Sequence, residues 1–169
     1  MSLLLKVKKS FRDDWTSLPF VIITSIGFFV ALIDFIFLQN LKFHFFSIIG
    51  LALVIIGGYL RMKARLILRK KAGFDNIVST SRLQIVEDQK LLKIGPYKYI
   101  RHPLYLGEIL RNLGLVSIFS SAYGILLVFI GTILLLFRIK MEEEMLIEAF
   151  GSEYSDYKKA TKRLIPYIY

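Results

Sequence analysis

Hydrophobic positions in this chain gather into long unbroken runs. The first extends from Pro19 to Leu38 and is broken only by Asp34; the second extends from Phe43 to Leu60. Each has the length a helix needs to cross a hydrocarbon layer about 30 Å thick. A third apolar region, 104–137, is too long for one crossing. Ser117, Ser120, Ser121, Tyr123 and Gly124 fall near its middle, so it predicts two helices joined by a very short turn. The pattern as a whole predicts an all-α, polytopic membrane helix bundle with spans at 19–38, 43–60, 103–119 and 122–140. A single integral membrane domain over 1–169 is the expected organisation.

The segments between the runs are mixed. Residues 61–71 (RMKARLILRKK) continue the second helix beyond the membrane, with Gly73 as its stop. Leu83, Ile85 and Val86 predict a short extended piece, and Gly95–Pro96 a turn. Leu146, Ala149, Phe150, Tyr154 and Tyr157 recur at spacings of three to four between Met141 and about Thr161, predicting a further helix that Gly151 can interrupt.

Composition sharpens this picture. The 169 residues are 55% hydrophobic, yet 23 Lys and Arg face 13 Asp and Glu, a net charge of +10. Such a chain can be both greasy and basic only if the two characters are segregated along it. They are: four Lys and Arg precede the first run, eleven lie in 61–102 and six follow from Arg138. The 39–42 connection holds only Lys42 and the 120–123 turn holds none. Cytoplasmic loops keep the positive charge, so both termini are expected on the cytoplasmic side. Basic residues that flank spans point to anionic lipid headgroups as partners and not to nucleic acid. Lys6, Lys8, Lys9 and Arg12 resemble the start of a signal peptide, but the apolar run is too long and no small-x-small cleavage site follows it. Trp15, Tyr97, Tyr99, Tyr167 and Tyr169 suit an interfacial aromatic belt, and His44 and Asp34 suit span ends. With no Cys, thiolate metal sites, disulfides and Cys nucleophiles are excluded; no metal site is expected.

Candidate chemistry concentrates in two places. The stretch 95–112 (GPYKYIRHPLYLGEILRN) sets Arg101 and His102 just before the third span, with Pro103 suited to its first turn. Tyr105, Glu108 and Asn112 then recur at i, i+3 and i+7 on one face. Ionisable groups at such depth usually face a bundle interior or a wet cavity. Snorkelling of Arg111 with a Glu108–Arg111 pair is the plainer alternative. The second place is Arg138, Glu142, Glu143 and Glu144, where the fourth span ends. A tight hairpin of the third and fourth spans returns this cluster to the membrane face that holds Arg101 and His102.

Gly95-Pro-Tyr97-x4-His102-Pro-x-Tyr105-x-Gly107, preceded by Gln89 to Leu92, resembles the signature of the isoprenylcysteine carboxyl methyltransferase and phospholipid methyltransferase superfamily of integral membrane enzymes. Arg138-x3-Glu142-Glu143-x2-Leu146-x3-Phe150-Gly151-x2-Tyr154-x2-Tyr157, closing with Pro166, extends the similarity, which covers about residues 83–166. The resemblance implies S-adenosylmethionine as cofactor. It implies a cytosolic pocket lined by Gln89, Lys90, Leu91, Leu92, Tyr97, His102, Pro103, Leu104, Tyr105, Arg138 and Glu142. The family's stretch often begins with His where this chain has Gln89, so only a backbone role carries over there.

The chemistry of these side chains is compatible with that ligand. Arg138, alone or with His102, can bind a carboxylate through charge-assisted hydrogen bonds. Glu142 can accept from an amine or a ribose hydroxyl. Tyr97 and Tyr105 can offer ring faces to a cation or to adenine. Methyl transfer to a carboxylate or thiolate needs no base, so none is assigned; for a protonated acceptor, Glu108, His102 and Asn112 are the candidates. The expected acceptor is lipophilic or lipid-anchored, entering sideways from the bilayer, with Phe28, Phe29 and Phe35 shaping its pocket. Two rival readings stand beside this one: an NADPH-dependent membrane sterol reductase, which shares a similar Arg-His-Pro-x-Tyr-x-Gly element, and a non-enzymatic membrane scaffold.

Overall fold

The computed structural model describes residues 15–39, 42–71 and 90–166. The basic residues before Trp15, the Gly73 stop, the extended piece at 83–86, Gln89, Tyr167 and Tyr169 lie outside the described residues. Among these residues five α-helices follow one another: α1 (Ser17–Phe37), α2 (Phe45–Lys71), α3 (Pro103–Ile118), α4 (Ala122–Phe150) and α5 (Ser152–Ala160), with a 3-10 turn at Gly95–Lys98 before α3. Among the described residues the only β pairing is an isolated parallel bridge between Ile100 and Lys162.

α1, α2 and α4, of 21, 27 and 29 residues, are long and apolar enough to cross a membrane. α3 is not. Its 16 residues rise about 24 Å, short of a hydrocarbon layer about 30 Å thick. It is bounded by Pro103 and by a tight turn in which Ser120 takes a positive φ of 51°. Three crossing-length helices and one short one therefore stand where the hydrophobic pattern predicts four spans. α2 runs without a break from the apolar run into the basic segment 61–71, as expected. α4 likewise runs beyond its apolar part to Phe150, and Gly151, at φ 56°, separates it from α5.

The helices distribute over two compact units. Of the described residues, one comprises 15, 60–71, 90–106 and 138–166, the other 16–39, 42–59 and 107–137. In the second unit, small residues let backbones approach. An added Cβ at Gly50 would lie 2.5 Å from the Ile118 nitrogen, and one at Gly57 would lie 2.6 Å from the Arg111 nitrogen. Gly27, Ala31 and Phe35, each four residues apart, form the buried face of α1. Around them Ala31, Val116 and Val128 make the core, with Leu113 and Phe119 packed against it.

The first unit has its own core of Ala64, Leu92 and Tyr97, against which Ile67, Leu68 and Leu104 pack. The C-terminal segment after α5 straps this unit together. Arg101 and His102 donate their amides to the carbonyls of Lys162 and Arg163, and Lys162 donates to Tyr99.

Candidate functional site

The first unit gathers most of the expected cofactor residues. Gly95, at φ 59°, lets the chain turn where a Cβ would meet the Ile67 side chain at 2.7 Å. The turn drops Tyr97 inward: its hydroxyl reaches the Ala64 carbonyl at 3.5 Å and its own carbonyl accepts from Tyr157 at 2.6 Å. Tyr97 is 6% exposed, so it is a core residue and not part of an interfacial belt. Trp15 and Tyr99 are exposed, as a belt requires. Leu92 and Pro103 are buried, Leu91 and Leu104 half-buried, and Lys90 is exposed.

Pro103 opens α3 directly after His102, and that fixes the imidazole between two carboxylates of α4. His102 Nε2 lies 3.3 Å from Glu143 Oε1, and Nδ1 lies 3.9 Å from Glu142 Oε2. One turn into α3, the Tyr105 hydroxyl accepts from Arg138 Nε at 3.0 Å and neighbours the Glu142 carboxylate. Arg138 is itself buried. Thus His102, Tyr105, Arg138 and Glu142, drawn from motifs more than thirty residues apart, converge in one place.

The two adjacent glutamates are treated differently. Glu143 is 2% exposed and receives Arg101 Nε at 2.7 Å and Arg163 at 3.1 Å, with Lys158 at 3.5 Å. Burial alone would raise its pKa, but hydrogen bonds from His102 and Arg101 and their charges hold the carboxyl well below the usual range. Arg101 also donates to the Lys158 and Thr161 carbonyls. Glu142 Oε2, by contrast, is shut off from solvent with no hydrogen-bond partner among the described residues. The buried Tyr154 hydroxyl is equally without one. Burial raises the Tyr154 phenol, and the negative charges of Glu143 and Glu142 raise it further. Burial and Glu142 do the same to Tyr97.

Sequence reasoning named Glu143 only as part of an acidic cluster and missed the hub it forms with Arg101, Lys158 and Arg163. The paired Glu142–Glu143 was the one available signal, since two adjacent carboxylates on a helix point about 100° apart and need different partners.

Glu108 and Asn112 fall in the second unit, where they line a cavity of about 260 Å³ together with Arg111, Phe28, Phe29 and Val21. Arg111 donates to Glu108 Oε1 at 2.5 Å and to Asn112 Oδ1 at 3.2 Å; Asn112 Nδ2 donates to the same Glu108 oxygen at 3.3 Å. Phe28 and Phe29 sit at the cavity as expected. Phe35 does not: it is buried, with its ring 4.9 Å from Phe43 and 5.3 Å from Phe119.

Comparison with known proteins places this geometry. Residues 49–148 match the model of the isoprenylcysteine carboxyl methyltransferase family. Protein-S-isoprenylcysteine O-methyltransferase of Saccharomyces cerevisiae is 35% identical over 137 residues, 79% of this chain and 54% of the relative. Methanethiol S-methyltransferase 1 of Bradyrhizobium diazoefficiens is 38% identical over 71 residues, 42% of this chain and 24% of that protein. The solved structure of the eukaryotic intramembrane Ras methyltransferase, an isoprenylcysteine carboxyl methyltransferase, superposes with a TM-score of 0.65 at 27% identity, covering 88% of this chain and 51% of that one. The chain spans about half the length of the isoprenylcysteine methyltransferases it matches.

Proposed function

The chain belongs to the isoprenylcysteine carboxyl methyltransferase family and is an integral, multi-pass membrane protein, and from that premise we propose that it transfers a methyl group from S-adenosylmethionine to a lipophilic acceptor at the cytosolic membrane face. The acceptor class is an isoprenylcysteine-type carboxylate, as the names of the yeast and other relatives suggest. The chain acts as one integral membrane domain with both termini cytoplasmic.

The observation that carries this reading is the convergence of His102, Tyr105, Arg138 and Glu142. The donor set suits the ligand. The orphaned Glu142 Oε2 and Tyr154 hydroxyl, together with the Arg138 guanidinium that meets Glu142 at Tyr105, are what a zwitterionic amino-acid end bearing an adenosyl group would satisfy. In this assignment Arg138 binds the carboxylate and His102 backs it. Glu142 accepts from the ammonium or ribose, and the apolar wall of Leu92, Tyr97 and Leu104 holds the adenine side, with the Lys90–Leu92 backbone along its edge. When bound, S-adenosylmethionine supplies an electrophilic methyl whose leaving group is a neutral thioether. The chain's residues then have no proton to deliver, and their work is binding, orientation and exclusion of water.

The test is methyl transfer by the purified protein from isotopically labelled S-adenosylmethionine to a prenylated cysteine with a free carboxylate. A base-labile methyl ester is the expected product. Arg138→Ala and Glu142→Ala should each weaken binding of S-adenosylhomocysteine about tenfold or more in titration calorimetry while leaving the protein folded. Unchanged affinity in both variants, or binding of NADPH in place of the homocysteine analogue, refutes the assignment.

A further inference from the structure

Glu143 and His102 share a buried hydrogen bond, and its direction points to a second task for the glutamate. We propose that Glu143 is a positioning residue. It keeps the ring proton of His102 on Nε2, so that Nδ1 and Glu142 Oε2 form a pair of acceptors that reads the ammonium of the methyl donor. The ammonium rests on the donor proposed for this site, whereas the hold on the ring proton does not.

Glu143 Oε1 lies 3.3 Å from His102 Nε2, and both side chains are buried. The same carboxylate takes Arg101 Nε at 2.7 Å and Arg163 at 3.1 Å. Burial opposes its ionisation, but the hydrogen bonds and charges of His102 and Arg101 prevail and keep it ionised. An ionised carboxylate accepts only, so the proton of the shared bond belongs to Nε2. Arg101, Arg138, Lys158 and Arg163 already outnumber Glu142 and Glu143 here, so the two carboxylates have their counter-charges without the ring. A neutral imidazole with its proton on Nε2 offers a lone pair at Nδ1.

Nδ1 faces Glu142 Oε2 at 3.9 Å, too far for a hydrogen bond between them. Oε2 is shut off from solvent and has no hydrogen-bond partner among the described residues. Two acceptors that face each other are completed by a group that gives two hydrogens at once. An ammonium has three, and its charge suits Glu142. A ribose hydroxyl has one and serves only one of the pair, and a carboxylate has none. The Tyr105 hydroxyl accepts from Arg138 Nε at 3.0 Å and is hydrogen-bonded to Glu142. A guanidinium and the acceptor pair therefore flank one phenol, as the carboxylate and ammonium on a single α-carbon require.

The chain has two histidines, and His44 is exposed, so His44→Gln leaves His102 as the single imidazole. The ring-nitrogen NMR spectrum of this variant, carrying isotope-labelled histidine in detergent micelles at mildly alkaline pH, should show a protonated Nε2 and a bare Nδ1. A proton on Nδ1, alone or in an imidazolium, overturns the proposal. Titration calorimetry then compares S-adenosylhomocysteine with its analogue lacking the α-amino group. The amine should strengthen binding about tenfold or more, and equal affinities overturn the proposal. Glu143→Gln should reduce that preference, because an amide can donate to Nε2 and move the ring proton to Nδ1; Glu143→Asp should restore part of it. A Glu143→Gln variant that weakens both ligands alike also overturns the proposal, since a purely structural glutamate would do the same. If Glu143→Gln does not fold, the ring spectrum and the amine preference of the unaltered glutamate decide. The two proposals fail separately. Failure of both ligands to bind sinks the proposed function while the spectrum still decides what Glu143 does, and equal binding of both sinks this inference alone.

Discussion

Glu143 accepts from Arg101, His102 and Arg163 with Lys158 close by, whereas Glu142 Oε2 lies 3.9 Å from His102 Nδ1 and has no hydrogen-bond partner among the described residues. Two neighbours of identical chemistry therefore have different consequences. Glu143→Gln leaves Arg101 and His102 buried around a neutral amide, and it should cost about 3–5 kcal/mol, read as a fall in the thermal midpoint in detergent. Its depressed folded-state pKa means its stabilisation is fully present above the ordinary carboxylate range and fades as pH falls below about 4.5 toward the folded value. The unaltered protein should thus lose stability on acidification there, and Glu143→Gln should show a flatter pH dependence; parallel curves for the two would contradict it. Glu142→Gln should lower the thermal midpoint less than Glu143→Gln does, because Glu142 Oε2 has no hydrogen-bond partner among the described residues to lose.

Among the elements, α2 and α3 pack glycine against backbone, and adjacent glycines of α2 make the point testable. A Cβ at Gly57 would meet the Arg111 nitrogen at 2.6 Å and the Gly107 oxygen at 2.7 Å, while at Gly58 it would meet nothing within 4 Å. Gly57→Ala forces backbone apart and should destabilise by about 1–3 kcal/mol. Gly58→Ala should be neutral or stabilise by up to about 1 kcal/mol, since Ala holds a helix better. Thermal melts of the two variants side by side check both; equal effects would show that α2 does not approach α3 through Gly57. The turn after α3 and the break at Gly151 were legible as elements because Ser, Tyr and Gly interrupt apolar or periodic runs. The shortfall of α3 was not, because hydropathy continues smoothly across Phe119 and gives no sign of where the helical hydrogen bonds stop.

For the molecule as a whole, basic residues cluster on alternate connections of a chain whose α1, α2 and α4 are long and apolar enough to cross a bilayer. The proposed orientation puts Tyr123, at the start of α4, on the side opposite both termini. The chain has no native Cys, so a single introduced Cys reports cleanly. A membrane-impermeant maleimide should label Tyr123→Cys from the non-cytoplasmic side only and a Cys appended after Tyr169 from the cytoplasmic side only. Labelling of both from one side would refute this orientation and with it the cytosolic placement of the donor site.

What the linear order of residues determined by itself is the membrane character and the helix succession, while the motif resemblance implied His102, Tyr105, Arg138 and Glu142 as one set. The first two follow from local quantities: the length of apolar runs and the sign of flanking charge. Tertiary structure alone decided that Glu143 is the buried ionic hub, that Tyr97 is core, that Phe35 is absent from the cavity, and that Arg111 Nε and Glu108 Oε2 are both left without a hydrogen-bond partner among the described residues. Each of these depends on which distant groups arrive at a side chain once the strap at 161–166 and the glycine contacts close. A pattern of residue types along the chain carries no record of which hydrogen bonds such closure leaves unmade.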